Sequence, residues 1–444
     1  MKRFWFLTFA AFFVFCGNVE AQYSSRYRSE RSRVPEDEEF AKQQFAFALN
    51  LYRGALEGDA ADANVLVAPF SACRCLNALS LGSAGRTKAE IDAALARDAW
   101  SDERWSKTFG DVDRLVNLTR ETTLAGALWF ASDLKLDEAF VDRCEKMSRT
   151  EAATFDFSAP TALKRANDWF EKNTDGKIKD FLSDLNPETR LLIADATTFK
   201  AEWLQKFDKD LTRTRYFTNA QGEKIPVAMM AQAEEFRYYD AGEFQYLEAP
   251  YEGGRFALAI VLPKKGESLA KVERFLIPAR LLDYRDRAEY TKVRFRLPKF
   301  KVERSFDLGE TLRKAGVVSA FEDDADFTRM TAADEEGRRE KLKVEQAKQA
   351  VFLSVDENGT EAAAATAFSM LGSAMQRSEP LKFYADRPFF YFLRDNTTGA
   401  VLFAGRLVDP EPSGTAEDAE AAEKADAAEK ADAERRTPSR LFRY

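Results

Sequence analysis

Phe383-Tyr384-Ala385-Asp386-Arg387-Pro388-Phe389-Phe390-Tyr391-Phe392-Leu393 is followed closely by Gly399, Leu402-Phe403, Gly405-Arg406 and Pro410. The segment predicts a buried hairpin: an apolar strand, a Thr397-Thr398-Gly399 turn, and a second apolar strand from Val401. Working outward, Phe256–Leu262, Val293–Leu297, Val351–Val355, Phe389–Leu393 and Val401–Phe403 all read as strands. Amphipathic helical stretches fill much of the first half. One is Glu39 to Leu51, with Phe40, Phe45, Phe47 and Leu51 as its apolar members, and another runs from Ala162 to about Asn173 and stops before Gly176. Helices early and strands late predict an α+β domain built on large antiparallel or mixed sheets.

Composition narrows what that domain can do. The 444 residues are 45% apolar and 32% charged, which permits a large core, and the net charge of -8 argues against nucleic acid as a partner. There is no histidine. That removes every Ser-His-Asp triad, every Cys-His pair and every HExxH zinc site, so an enzyme of common hydrolase design is not expected, nor is a cofactor. Ser-Lys chemistry needs no histidine. Ser132…Lys135 and Ser268…Lys271 match SxxK, but neither comes with a KTG element, and both read as chance matches.

The ends of the chain differ from its middle. Lys2 and Arg3 precede an apolar run from Phe4 to Cys16, too short to span a bilayer, and Val19-Glu20-Ala21 has the form of a cleavage site. Residues 1–21 are therefore expected to be an export signal, giving a secreted protein, extracellular or periplasmic, with no membrane span. Residues 22–36 read as a flexible linker and 37–410 as the folded domain. Cys73, Cys75 and Cys144 remain after such processing. Three is an odd number, and the expected role is buried packing without disulfides. In 411–444 the hexad Ala-Ala-Glu-Lys-Ala-Asp occurs at 421–426 and again at 427–432. It has helical propensity but no apolar stripe, so a solvated tail or a single helix is expected; the basic end from Arg435 to Tyr444 could dock on a surface.

Four blocks share a resemblance. The first is Asn64-Val65-Leu66-Val67-Ala68-Pro69-Phe70-Ser71 continuing to Leu81-Gly82-Ser83-Ala84-Gly85-Arg86-Thr87, read locally as a short strand, a Pro turn, and a helix capped by Ser71 and stopped near Gly82. The second is Asn167-Asp168-Trp169-Phe170 through Thr174, Gly176, Lys177 and Ile178; the third is Phe199-Lys200 with Trp203 and Phe207; the fourth is the hairpin segment above. In order and internal spacing they resemble the serpin family, which implies about three β-sheets, about nine helices and an exposed reactive-centre loop. The resemblance implies a monomeric inhibitor that a serine-type protease attacks and to which it stays covalently attached as an acyl-enzyme.

The segment Val355-Asp356-Glu357-Asn358-Gly359-Thr360-Glu361-Ala362-Ala363-Ala364-Ala365-Thr366-Ala367 resembles the family's reactive-loop hinge. Propensity alone would make Glu361–Ala367 a helix. As a strand with period two, Thr360, Ala362, Ala364, Thr366 and Phe368 face inward, and Glu361, Ala363, Ala365 and Ala367 face outward. The inward residues stay small and uncharged until Phe368, as insertion between paired strands requires, and Gly359 sits where the chain must bend. About 10–15 new backbone hydrogen bonds would contribute on the order of 10 kcal/mol. Family spacing counted from Glu357 puts the scissile bond at Ser373–Ala374, with Gly372, Ala374 and Met375 as alternative carbonyl donors. A small residue there suits elastase-like or subtilisin-like pockets.

Lys299, in Leu297-Pro298-Lys299-Phe300, is the expected partner of Glu357, and by the resemblance Trp203 lies where the loop first enters the sheet. The family's polar cluster beneath the sheet maps to Ala68, Ser71, Asp195 and Gln349, retaining one serine. A buried Asp195 would need Gln349 and Ser71 as donors. The alternative reading is a serpin-fold binding protein that does not trap proteases; bulky or charged inward hinge residues would mark it, and Thr360 to Thr366 carry none. Asn358-Gly359-Thr360 is also a glycosylation sequon in the hinge. A glycan there would obstruct insertion, which points to a bacterial source that leaves such sites bare; an intact mass carrying an added glycan would contradict this.

Overall fold

The computed structural model describes residues 38–58, 63–360 and 379–436. The first half runs α1 (Glu38–Gly58), β1 (Val65–Val67), α2 (Pro69–Gly82), α3 (Gly85–Ala94), α4 (Asp102–Asn117), β2 (Thr122–Ala131), α5 (Glu138–Ser148), β3 (Glu151–Phe155), α6 (Ala162–Asn173), β4 (Leu191–Phe199) and β5 (Ala201–Glu202). Then come β6 (Arg213–Thr218), β7 (Lys224–Asp240), β8 (Phe244–Pro250), β9 (Phe256–Pro263), α7 (Leu269–Glu273), α8 (Pro278–Arg287), β10 (Glu289–Pro298), β11 (Phe300–Asp307) and α9 (Leu308–Lys314). The chain ends with β12 (Gln346–Val355), β13 (Gly359–Thr360), β14 (Leu381–Tyr384), β15 (Phe389–Asp395), β16 (Val401–Leu407) and α10 (Ala416–Arg436). The α+β class holds. Nine of the helices in the described residues lie within 37–410, and the tenth is in the tail.

The C-terminal hairpin forms where the sequence puts it. Strands β15 and β16 pair antiparallel and every residue of both is buried. Gly399, at φ 77, closes the turn by donating to the Asp395 carbonyl at 2.9 Å. The hairpin lies inside a nine-stranded sheet ordered β1-β16-β15-β9-β8-β7-β10-β14, with β6 on β7. The second sheet has seven strands, β3-β2-β4-β12-β13-β5, with β11 on β12. Among the described residues the strands thus form two hydrogen-bonded sheets where about three were expected. The 17-residue β7 is the reason: it pairs with β6 and β10 along most of its length and with β8 at its far end, which fuses two sheets into one.

Two local readings change. Helix α1 extends well past Leu51 and buries Tyr52. Gly54 looks like a helix breaker, yet it permits a close approach: a Cβ there would lie 2.6 Å from the Thr311 carbonyl oxygen. Helix α2 is not capped by Ser71. Its N-cap is Ala68, with Pro69 in the first helical turn, and the Ser71 hydroxyl is used elsewhere. Cys73, Cys75 and Cys144 are free and buried as expected, and Cys75 Sγ occupies the space above Gly126.

The tail begins as a docked segment. Ser413 accepts from the Ala228 amide at 2.8 Å and donates its own amide to the Pro226 carbonyl at 2.9 Å. Thr415 then caps α10, whose Ala419 is fully buried in the first turns beside β6. The segment is helical over Ala416–Arg436, and Lys224 Nζ lies 3.6 Å from Glu423 in its second turn.

Beneath the seven-stranded sheet, Arg74 on α2 pairs with Asp113 on α4 at 2.9 Å, with both side chains 2% exposed. The guanidinium also donates to the Leu124 carbonyl (2.9 Å) and the Arg149 carbonyl (2.8 Å), tying two helices to β2 and to the end of α5. Asp113 also pairs with Arg149 at 3.0 Å, so losing Arg74 leaves the carboxylate one cation but removes the ties to β2 and to the end of α5. Arg74→Met is expected to lower unfolding stability by about 1–3 kcal/mol, read from a urea titration.

Candidate functional site: a hinge and the sheet below it

At the top of the seven-stranded sheet the chain leaves β12, turns, and comes back. Asp356 makes the turn: its Oδ1 accepts from the amides of Asn358 (2.8 Å) and Gly359 (3.2 Å), and its own amide donates to the Gly359 carbonyl (2.9 Å). An Asp side chain bonding backbone two residues on is a common way to specify a turn. The returning strand β13 is only Gly359–Thr360, but it is paired antiparallel on both sides, Val355↔Thr360 with β12 and Thr360↔Ala201, Gly359↔Glu202 with β5. Below it, β12 pairs directly and in parallel with β4, from Gln346↔Leu192 to Phe352↔Thr198. The sheet is therefore closed in its middle and already split at its top.

Side chains hold the turn in place. Glu357 pairs with Lys299 Nζ at 2.9 Å and accepts from the Thr212 hydroxyl at 2.9 Å. Burial pushes its carboxyl up, and the bonds from Lys299 and Thr212 outweigh this and hold it below the ordinary range. Trp203 donates its indole N–H to the Asp356 carbonyl at 2.8 Å and its amide to the Asn358 carbonyl at 2.8 Å. Its ring stacks on Tyr251, centroids 4.3 Å apart at 13°. Tyr251 Oη in turn bonds Thr360 Oγ1 at 2.7 Å, and Thr360 is fully buried. Thr360 thus faces inward as the strand alternation predicts.

A second cluster lies under the middle of the sheet, where Asp195 on β4 is the register partner of Gln349 on β12. Asp195 accepts from the Ser71 hydroxyl through one carboxylate oxygen and from Gln349 Nε2 through the other. Gln349 completes its amide on the backbone of Ala68, accepting from its N–H at 3.0 Å and donating to its carbonyl at 3.2 Å. Ser71, Asp195 and Gln349 are all 0% exposed. Burial pushes the Asp195 carboxyl up to about 6, against the two hydrogen bonds and the Arg74 charge, which pull it down. The cluster is a polar tie across the two strands that form the closed part of the sheet.

The structure thus brings Trp203, Lys299, Glu357, Gly359 and Thr360 together at the top of the sheet, and Ser71, Asp195 and Gln349 together beneath its middle. Glu361, Ala362, Ala363, Ala364, Ala365, Thr366, Ala367, Ser373 and Ala374 lie outside the described residues, as do the expected export signal and linker. Sequence reasoning missed Tyr251 and Thr212, which come from distant segments and carry no local pattern. The Ser268…Lys271 match is structural: Ser268 caps α7 by accepting from the Lys271 amide, while Lys271 Nζ turns to Glu267 at 2.8 Å.

Over most of its length the chain is similar to known proteins. The family model described as serpin (serine protease inhibitor) matches residues 42–410. A serpin-like protein of Thermococcus kodakarensis is 35% identical over 82% of this chain and 84% of its own length. The leukocyte elastase inhibitor of Sus scrofa is 31% identical over 84% of this chain and all of its own. Among solved structures, the thermophilic serpin tengpin in its native state superposes with a TM-score of 0.75 at 26% identity, covering 84% of this chain and 95% of that one. The chain belongs to the serpin family. Among the described residues, no helix is long and apolar enough to cross a membrane.

Gly359 is where this geometry can be broken by one atom. A Cβ there would sit 2.0 Å from the Ala201 carbonyl oxygen and 2.7 Å from Glu202 Cα. Gly359→Ala is expected to drive β13 out from between β12 and β5. By hydrogen exchange, the Trp203 and Phe207 amides, which donate to Asn358 and Glu357, should lose protection on the order of tenfold or more.

Proposed function

We propose that this protein is a secreted, monomeric inhibitor of elastase-like or subtilisin-like serine proteases that works by inserting its cleaved loop as a new strand. The observation that carries the reading is the doubly paired Gly359–Thr360: the first residues of such a strand already lie between β12 and β5. The protease serine would attack the Ser373 carbonyl, the bond to Ala374 would break with that amine leaving, and the acyl-enzyme ester would remain on Ser373. The freed hinge would then continue downward from Thr360.

Two independent registers support a single path for it. Extended down the sheet, the pairing Val355↔Thr360 with β12 brings Thr366 opposite Gln349. The pairing Thr360↔Ala201 with β5, extended along β4, brings Thr366 opposite Asp195. Asp195 and Gln349 are themselves register partners. Thr366 is the only hydroxyl-bearing inward residue below Thr360 within the small-residue run, and it would meet the buried polar cluster, while Ala362 would meet Leu353 and Phe199, and Ala364 would meet Val351 and Thr197. Insertion replaces one parallel ladder by two antiparallel ones. The net hydrogen-bond gain is therefore about one ladder, on the order of 5–10 kcal/mol, less than a count of new bonds alone would give.

The test is incubation with an elastase-like protease followed by denaturing electrophoresis. The expected result is a covalent band near the summed masses for the wild type. In Thr360→Arg, a charged side chain would have to enter the fully buried slot against Tyr251, so cleavage without that band is expected. Undiminished inhibition by Thr360→Arg would rule out insertion. Cleavage of the wild type with no band would favour a binding protein that keeps the fold without trapping.

A further inference from the structure

Asp195 connects the two strands that must part. A strand entering between β4 and β12 would move them from one inter-strand spacing, about 4.8 Å, to two. Because Asp195 and Gln349 sit on opposite sides of that gap, their hydrogen bond cannot survive the opening. We propose that Asp195 is a proton-operated tie: its ionised carboxylate holds the closed sheet through Gln349, and protonating it frees the sheet to open. This rests on the insertion reading above.

A charge-assisted hydrogen bond is roughly twice as strong as a neutral one, so the ionised form holds the strands more tightly. Losing a donor also costs a buried carboxylate far more than a buried carboxylic acid. The opened sheet therefore binds the Asp195 proton more tightly than the closed sheet does. Opening takes up a proton and is favoured as pH falls. The carboxyl sits at about 6 in the closed sheet, so the change falls within an ordinary working range.

The other charged and titratable groups near Asp195 come from α2, α4, β2 and β12; on α4, burial pushes the Asp113 carboxyl up against its pairing with Arg74 and Arg149, and this group stays unchanged in Asp195→Asn. On α2, Arg74 is held by Asp113, and burial keeps the Cys75 thiol well above its ordinary range. From β2, Asp195 faces Gly126, which carries no side chain. On β12, Gln349 does not titrate, and the neighbouring Lys348 pairs with Asp307 at 3.1 Å.

The test adds a fluorescent peptide with the sequence of residues 360–373 to the intact protein and follows its incorporation by anisotropy between pH 7.5 and pH 5.0. The expected wild-type rate rises about tenfold on acidification, with its midpoint near the Asp195 value. Asp195→Asn should show no such rise, which also controls for titration of the peptide's own glutamate. Ser71→Ala keeps the carboxyl but removes a donor to it, so its midpoint should move to higher pH; this variant carries the test should Asp195→Asn not fold. Equal pH dependence in wild type and Asp195→Asn, or slower incorporation at low pH, would overturn the tie alone. A peptide that enters neither protein at any pH would overturn the insertion reading and the tie with it.

Discussion

Alternate residues of β12 turn their backbone N–H and C=O toward β4, and those groups can serve one neighbour at a time. From Gln346 to Phe352 that neighbour is β4, and at Val355 it is Thr360. The other side of β12 is taken by β11. Any lengthening of β13 must therefore displace β4 residue by residue. The sheet is a competition between two partners for one strand edge, with the boundary currently just below the hinge.

The polar groups sit where that competition is decided. Glu357, Lys299 and Thr212 fix the turn from which a new strand would grow, and Tyr251 accommodates the one hydroxyl already inserted. Beneath the middle, the Asp195–Gln349–Ser71 cluster resists separation of β4 from β12. The large apolar core includes the fully buried β15–β16 hairpin. Free cysteines buried in that core have thiols pushed up to about 12 for Cys73 and Cys144, so they act as packing groups rather than nucleophiles.

Much of this was legible in the sequence because it depends on local rules. The hairpin followed from apolar runs around Thr397-Thr398-Gly399, α6 from its periodicity, and the inward face of Thr360 from strand alternation. The Glu357–Lys299 pair and the donors to Asp195 followed from the resemblance, once the requirement that a buried carboxylate be hydrogen-bonded was applied. What stayed hidden depends on contacts between distant segments. Ser71 looks like a helix cap until β4 supplies Asp195 as its acceptor. The fusion of two sheets by β7 is obscured by Glu234-Glu235 in the middle of the strand, and the docking of α10 by a tail with no apolar stripe.

The most direct measurement compares thermal unfolding of the intact chain with that of the chain nicked once in residues 361–378 by a protease it does not inhibit. If the severed segment becomes a central strand, the nicked form should melt about 10 °C or more above the intact one, followed by circular dichroism. A nicked form that melts at or below the intact temperature would contradict loop insertion as the working principle of this protein.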